Sequence, residues 1–197
     1  MTHSLHRKGI EKDLKEDYVV LAMFAAGINE HYDDSRQRFI RIGEIMKKNN
    51  PVNIMSEAAW KVSPTITATF DDIESVRNVI LQLKKEDLGI SIVVSGLISE
   101  IKNVLQEVGL NIHTVHFSLG IFGGKKKELL PTDKILEITT MCGHHTVSPQ
   151  SVTHYVELIK KGKTTIEKAA AKLTKPCVCG IVNTARVIHI LNSLVNN

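Results

Sequence analysis

Aromatic residues are scarce, with one Trp, three Tyr and five Phe in 197 residues, and none alternate with basic residues as a stacking platform for single-stranded nucleic acid requires. Long apolar runs are missing too. The longest, Val19 to Ile28, falls short of the roughly 18–20 residues of a membrane span, so no membrane association is expected. The opening MTHSLHRKGIEKDLKED has no apolar core of the kind a secretory signal needs, which places the expected location in the cytoplasm. Neither sign of charge dominates: 25 Lys and Arg stand against 21 Asp and Glu, a net charge of +4. The charges are scattered, with Lys125-Lys126-Lys127 the one tight run, so a nucleic-acid partner is not expected. GxGxxG and Walker A spacings are absent, as is the Cys-x₂₋₄-Cys knuckle of an ordinary zinc finger.

With 43% hydrophobic and 23% charged residues, the chain can bury a core without disulfide support. Its length suits one domain, or one domain with a small appendage. A polar lead over 1–17 is expected to fray, followed by an α/β domain over 18–140 and a helical module over 141–197.

The middle of the chain alternates strand and helix patterns. Thr65 to Phe70 (TITATF) has period two and β-branched residues, which predicts a strand. Asp71 and Glu74 form a capping-box spacing for a helix carrying Ile73, Val76, Ile80 and Leu83, with Gly89 as its stop. Ile90 to Val94 reads as a strand buried on both faces, as in a parallel sheet covered by helices. A helix with Ile98, Ile101, Val104, Leu105 and Val108 then ends at Gly109, and Ile112 to Phe117 and Lys134 to Thr140 (KILEITT) read as further strands. Upstream, Phe39, Ile42 and Met46 mark a helix, while Val19 to Ile28 fits either a buried strand or a buried helix. The fold class expected is therefore α/β, a mostly parallel sheet of βαβ units, with a small C-terminal helical module. In that module Ser148-Pro149, Thr164 with Glu167, and Asn183 open three short helices.

Three cysteines are the most informative residues. Cys142 lies in Met141-Cys142-Gly143-His144-His145, and Cys177 and Cys179 lie in Pro176-Cys177-Val178-Cys179-Gly180. Glycine beside a Cys-x-Cys pair lets the backbone bend so that two thiolates face one centre. An odd number of cytosolic thiols argues against a structural disulfide. Three thiolates suit a 4Fe–4S cluster with one iron lacking a cysteine, or zinc completed as Cys₃His by His144 or His145. The cluster is the favoured reading, its open iron serving as Lewis acid on a small polar or anionic substrate in lyase-type or sulfur-handling chemistry, with His144 or His145 moving protons. The alternative is a non-enzymatic zinc-stabilised interaction or regulatory module. A cluster-sensing DNA regulator is a lesser alternative, because the nine residues from Thr174 to Val182 are too long for a helix-turn-helix turn.

If the sheet is parallel, the turns Ser95-Gly96, Ser118-Leu119-Gly120 and Cys142-Gly143 gather at its carboxyl edge, where ligands bind in such folds. Ser95, Gly96, Ser118 and Gly120 thus become candidate substrate contacts. Lys125, with Lys126 and Lys127, would steer an anion. His113 and His116 point to opposite faces of their strand and are weaker candidates. A homo-oligomer that completes the site across subunits remains open.

Overall fold

The computed structural model describes residues 7–25, 27–29, 33–112, 128, 130–144 and 146–196. Along the chain run α1 (Glu11–Leu14), β1 (Tyr18–Met23), α2 (Ser35–Lys48), β2 (Asn53–Ile54), α3 (Glu57–Trp60), β3 (Thr65–Phe70), α4 (Ile73–Glu86), β4 (Ser91–Ser95) and α5 (Ile98–Glu107). After them come α6 (Asp133–Thr139), α7 (Pro149–Lys160), α8 (Ile166–Thr174) and α9 (Thr184–Asn196). No helix among the described residues is long and apolar enough to cross a membrane.

The described strands form one sheet in the order β2-β3-β1-β4, and every neighbouring pair is antiparallel. The expectation of a mostly parallel α/β sheet is thus overturned: the described residues are about 52% helical around a small four-stranded antiparallel sheet. Helix α2 joins β1 to β2 and α4 joins β3 to β4, but in each case another strand lies between the two that the helix connects. This is a split βαβ arrangement. Hydrophobic periodicity reports the alternation of helix and strand and carries nothing about which strands are neighbours. Strand β4 also sits beside β1 alone among the described strands, and its Ser91 and Val93 are exposed, so the apolar run there does not mark burial on both faces.

The KILEITT segment is helix α6, not a strand. Asp133 stands in its first turn, and the Thr140 N–H donates to the Leu136 carbonyl at 3.0 Å. Seven residues give two periods of a helix, too few to separate it from a strand. Burial compounds the ambiguity, since Leu136, Glu137, Ile138 and Thr139 are all buried where α6 packs between α7 and α9. The expected strand at Ile112 to Phe117 falls mostly outside the described residues.

Two helix starts differ by one residue from those expected. Asp72, not Asp71, caps α4, its carboxylate accepting from the Ser75 N–H at 2.7 Å, and Thr165, not Thr164, caps α8 by accepting from Lys168 N–H at 3.3 Å. Helix α4 ends two residues before Gly89, on a left-handed Asp87. Ser148 caps α7 and Asn183 caps α9.

The two sheet faces differ in character. Paired residues share a face, so Val20, Ala22, Ile66, Ala68 and Phe70 line the apolar side, against which α2 and α4 place Phe39, Ile42, Met46, Val76, Val79 and Ile80. The opposite face carries Asn53, Thr67 and Thr69. Both threonines are nonetheless buried, because this face receives the loop between α8 and α9.

Residues 7–17, part of the lead expected to fray, are tied to the C-terminal helices. The Asp17 carboxylate, fully buried, pairs with Arg7 at 3.0 Å and with Arg186 of α9 at 2.7 Å. Arg186 also donates to the Lys8 carbonyl, and Asn183 donates to the Glu16 carbonyl at 2.7 Å. Deleting one partner of a buried pair strands the other charge at a cost of about 3–5 kcal/mol. Asp17→Ala removes the carboxylate that Arg7 and Arg186 share and should therefore lower the unfolding free energy by about 3 kcal/mol or more, as measured by urea denaturation. A loss below about 1 kcal/mol, the range of a surface ion pair, would contradict this account of the N-terminal anchor.

Candidate metal centre

Two chain segments supply the thiols. Helix α6 ends in a tight turn, with Met141 N–H donating to the Ile138 carbonyl at 3.2 Å, and this buries Cys142 completely. At the other segment Pro176 follows the last turn of α8. Cys177 N–H returns to the Thr174 carbonyl at 2.9 Å, and Gly180 N–H to the Cys177 carbonyl at 3.1 Å. These turns tuck Cys177 and Cys179 inward while Val178 between them is 80% exposed.

The loop is held from outside by four successive carbonyls. Thr67 donates its hydroxyl to the Cys179 carbonyl, Thr69 to that of Gly180 at 3.0 Å, Arg7 its guanidinium to that of Ile181, and Asn53 its amide to that of Val182 at 2.9 Å. A buried carbonyl without a donor costs about 1–3 kcal/mol, and here strand residues and the N-terminal lead meet each demand. Gly180 is required at its position. Its φ is +71°, and a Cβ there would run into the backbone of Ile54 and Met55.

Within this frame the Cys177 and Cys179 sulfurs lie 3.6 Å apart, and the His144 Nδ1 lies 3.8 Å from the Cys179 sulfur. Cys142 is hydrogen-bonded at 3.0 Å to the Thr146 hydroxyl, and its thiol interacts electrostatically with that of Cys177. The expected ligands Cys142, Cys177 and Cys179 are thus brought together, with His144 at the exposed mouth. They form a row of pairwise contacts. Among the described residues, no three His, Cys, Asp or Glu side chains surround a common point as ligands of a bound ion do.

The contacts divide the thiols chemically. Cys142 is pushed up to about 12 by the neighbouring Cys177 thiol and by burial, against the opposing pull of Thr146. Cys177 is also raised: Cys142 lowers it, but the bond to Cys179 and burial outweigh that. Cys179 is pulled down to about 7, first by the Cys177 hydrogen bond and, despite burial, by the backbone N–H groups of Ile181 and Cys179. The row therefore ends in its most acidic thiol, beside an imidazole.

The remaining candidates fare differently. His145, Ser118, Gly120 and Lys125 lie outside the described residues, as do His113, His116, Lys126 and Lys127. Ser95 and Gly96 follow β4, and Ser95 is separated from the Thr69 that holds the cysteine loop by the intervening Val19 of β1. Gly96 is occupied by packing: a Cβ there would stand 2.5 Å from the Tyr18 ring. With the sheet antiparallel, the Ser95-Gly96 and Cys142-Gly143 turns do not share a carboxyl edge, and Cys142 follows a helix instead of a strand. Two surface cavities, of about 420 Å³ beside Trp60, Lys47 and Lys48 and about 470 Å³ beside Leu81, Lys84 and Val108, contain none of the cysteines.

Sequence reasoning missed Asn53, Thr67, Thr69 and Arg7. The Thr side of TITATF carried a faint signal, since hydroxyls spaced by two on a β-branched strand can either meet solvent or serve buried carbonyls. Comparisons with protein-family models, curated proteins and solved structures give no match, so the geometry alone carries the functional argument.

Two outcomes follow from that geometry. In reduced, metal-free protein, ultraviolet titration of the thiols should show one thiolate forming with a midpoint near pH 7, and its disappearance in Cys179→Ser assigns it to this residue. Cys177→Ala removes the donor and should move the midpoint upward. A wild-type midpoint at or above the ordinary thiol value of about 8.5 would contradict the assignment. Gly180→Ala should destabilise the protein by more than the ~1 kcal/mol of a simple left-handed penalty, as read by thermal unfolding, and a neutral effect would show that the loop is not clamped.

Proposed function

We propose that the chain is a zinc-stapled interaction module, non-enzymatic, in which Cys142, Cys177 and Cys179 with His144 hold one tetrahedral ion that fastens the α8–α9 loop and the end of α6 to the sheet. The observation that carries this reading is the 3.6 Å separation of the Cys177 and Cys179 sulfurs. Ligands on one tetrahedral ion, at Zn–S distances of about 2.3 Å, stand about 3.8 Å from one another. On a 4Fe–4S cluster each cysteine binds its own iron, which spreads the sulfurs farther. The Nδ1 of His144, 3.8 Å from Cys179, suits the fourth corner of the same tetrahedron.

Supporting chemistry lies in the donors aimed at the sulfurs. The Cys177 thiol and the Ile181 amide favour the thiolate form of Cys179, and thiolate is the metal-binding form. Cys142 and Cys177, raised by the neighbouring thiols and by burial, would give up their protons on binding an ion. Cys142, Cys177, Cys179 and His144 would hold the ion, which would supply a crosslink between the end of α6 and the α8–α9 loop. The loop backbone is fixed beforehand by its four carbonyl contacts, which supports the preorganisation a structural site needs. The Lewis-acid enzyme reading leaned on turns gathered along one edge of a parallel sheet, and that support is lost with the antiparallel topology.

Anaerobically purified protein should be colourless and contain one zinc per chain with no sulfide. Cys177→Ser and Cys179→Ser should each lose the metal, and a strong chelator should lower the melting temperature by about 10 °C or more, since structural zinc binding is folding free energy. Brown protein containing iron and sulfide would overturn the zinc reading in favour of a cluster. Metal-free protein whose melting the chelator leaves unchanged would overturn the metal reading altogether.

A further inference from the structure

The net charge of the chain is concentrated where the fold makes it a surface. Residues 160–175 contain six lysines and one glutamate, a charge of +5, whereas the whole chain carries +4, so everything else sums to −1. All six lysines are exposed: Lys160, Lys161 and Lys163 around the α7–α8 turn, and Lys168, Lys172 and Lys175 along α8. Of these, Lys161 pairs with Glu157 in the same helix at 3.6 Å.

The three lysines of α8 form a stripe. At about 100° per residue, the spacing i, i+4, i+7 places Lys168, Lys172 and Lys175 within about 60° of one another, and Lys175 keeps right-handed helical dihedrals at the end of the helix. The residues α8 buries, Ala169, Ala170, Leu173 and Thr174, centre on the opposite side of the wheel. The same packing that seats α8 on its neighbours therefore fixes the lysine face outward. In the sequence the charges look scattered, because helical spacing separates residues that the helix aligns.

We infer that this lysine face is a docking surface for the phosphate backbone of double-stranded nucleic acid, read without base specificity. Charge complementarity selects a polyanion, and three features narrow the choice. The cations are all lysine, point charges suited to phosphate contacts rather than to the bidentate base readout typical of arginine. No aromatic side chain stands among them, which removes the stacking that single strands require. The exposed face of α8 carries no large apolar residue, whereas a helix that lies in a membrane surface buries such residues among the acyl chains. The inference rests on exposed charge and helix geometry and holds whether or not the thiols bind metal.

The test uses full-length protein and a fluorescent 30-base-pair duplex of arbitrary sequence, titrated by anisotropy between about 50 and 200 mM salt. Each phosphate contact contributes about −0.9 to the slope of log K against log salt. Lys168→Gln/Lys172→Gln/Lys175→Gln keeps helix propensity nearly constant and should weaken binding at 50 mM salt by about tenfold or more while reducing the slope by about 3. The charge-matched control Lys47→Gln/Lys48→Gln/Lys61→Gln, on exposed residues of another surface, should leave both unchanged. Equal losses in the two triple variants would overturn the inference in favour of bulk charge, and absence of duplex binding at 50 mM salt would overturn it outright. Vesicles with about one-third phosphatidylserine serve as the competing polyanion. Tight vesicle binding lost in the α8 variant, with weak duplex binding, would reassign the face to anionic membranes.

Discussion

Everything about the cysteine loop follows from four peptide carbonyls, Cys179 to Val182, that turn into the protein where water cannot solvate them. The donors that meet them stand outside helices α8 and α9. They come from Thr67 and Thr69 on β3, Asn53 on β2 and Arg7 in the N-terminal lead. This requirement explains why one face of the sheet carries hydroxyl and amide side chains and is still buried, and why the start of the chain crosses to its C-terminal helices. It also sets where the sulfurs lie, since a loop held at four successive carbonyls has little freedom left at its side chains.

A buried electrostatic network stands behind the clamp. Arg7 and Arg186 share Asp17, and Glu137 of α6 lies 3.7 Å from Arg186. Such networks seldom raise stability above that of a well-packed apolar equivalent, but they admit one arrangement only: Arg7 must point one nitrogen at Asp17 and another at the Ile181 carbonyl. Asn183 performs a similar double duty, capping α9 through the Arg186 N–H and fastening the Glu16 carbonyl. The segments that supply the candidate ligands are thereby registered against one another through groups remote from the sulfurs.

Legibility in the sequence tracked the range of the interaction. Helices α4, α5, α7 and α9 were readable because their stripes and stop signals are local, and even so the caps Asp72 and Thr165 lay one residue from the expected positions. Sheet topology was not readable, since the pairing of β1 with both β3 and β4 joins segments that are remote in sequence. Helix α6 was misread because it is short and packed between two neighbours, which erases its amphipathic period. The inward turn of Cys177 and Cys179 was foreseeable from glycine and proline punctuation, whereas Cys142 was expected beside them at the edge of a parallel sheet and lies instead after the end of a helix. The donors that hold the loop of Cys177 and Cys179 were not foreseeable, because Thr67 and Arg7 acquire meaning only once the loop is folded against them. The lysine stripe of α8 was available in the sequence and was hidden by its spacing.

The central claim is that the thiol row and His144 form the corners of a single-ion site. X-ray absorption at the zinc edge of the purified protein tests it most directly. The account predicts a first shell of three sulfurs at about 2.3 Å and one nitrogen at about 2.0–2.1 Å, with the nitrogen replaced by oxygen in His144→Ala. A zinc shell of oxygen and nitrogen alone, or an iron signal with short iron–iron scattering in place of zinc, would contradict it.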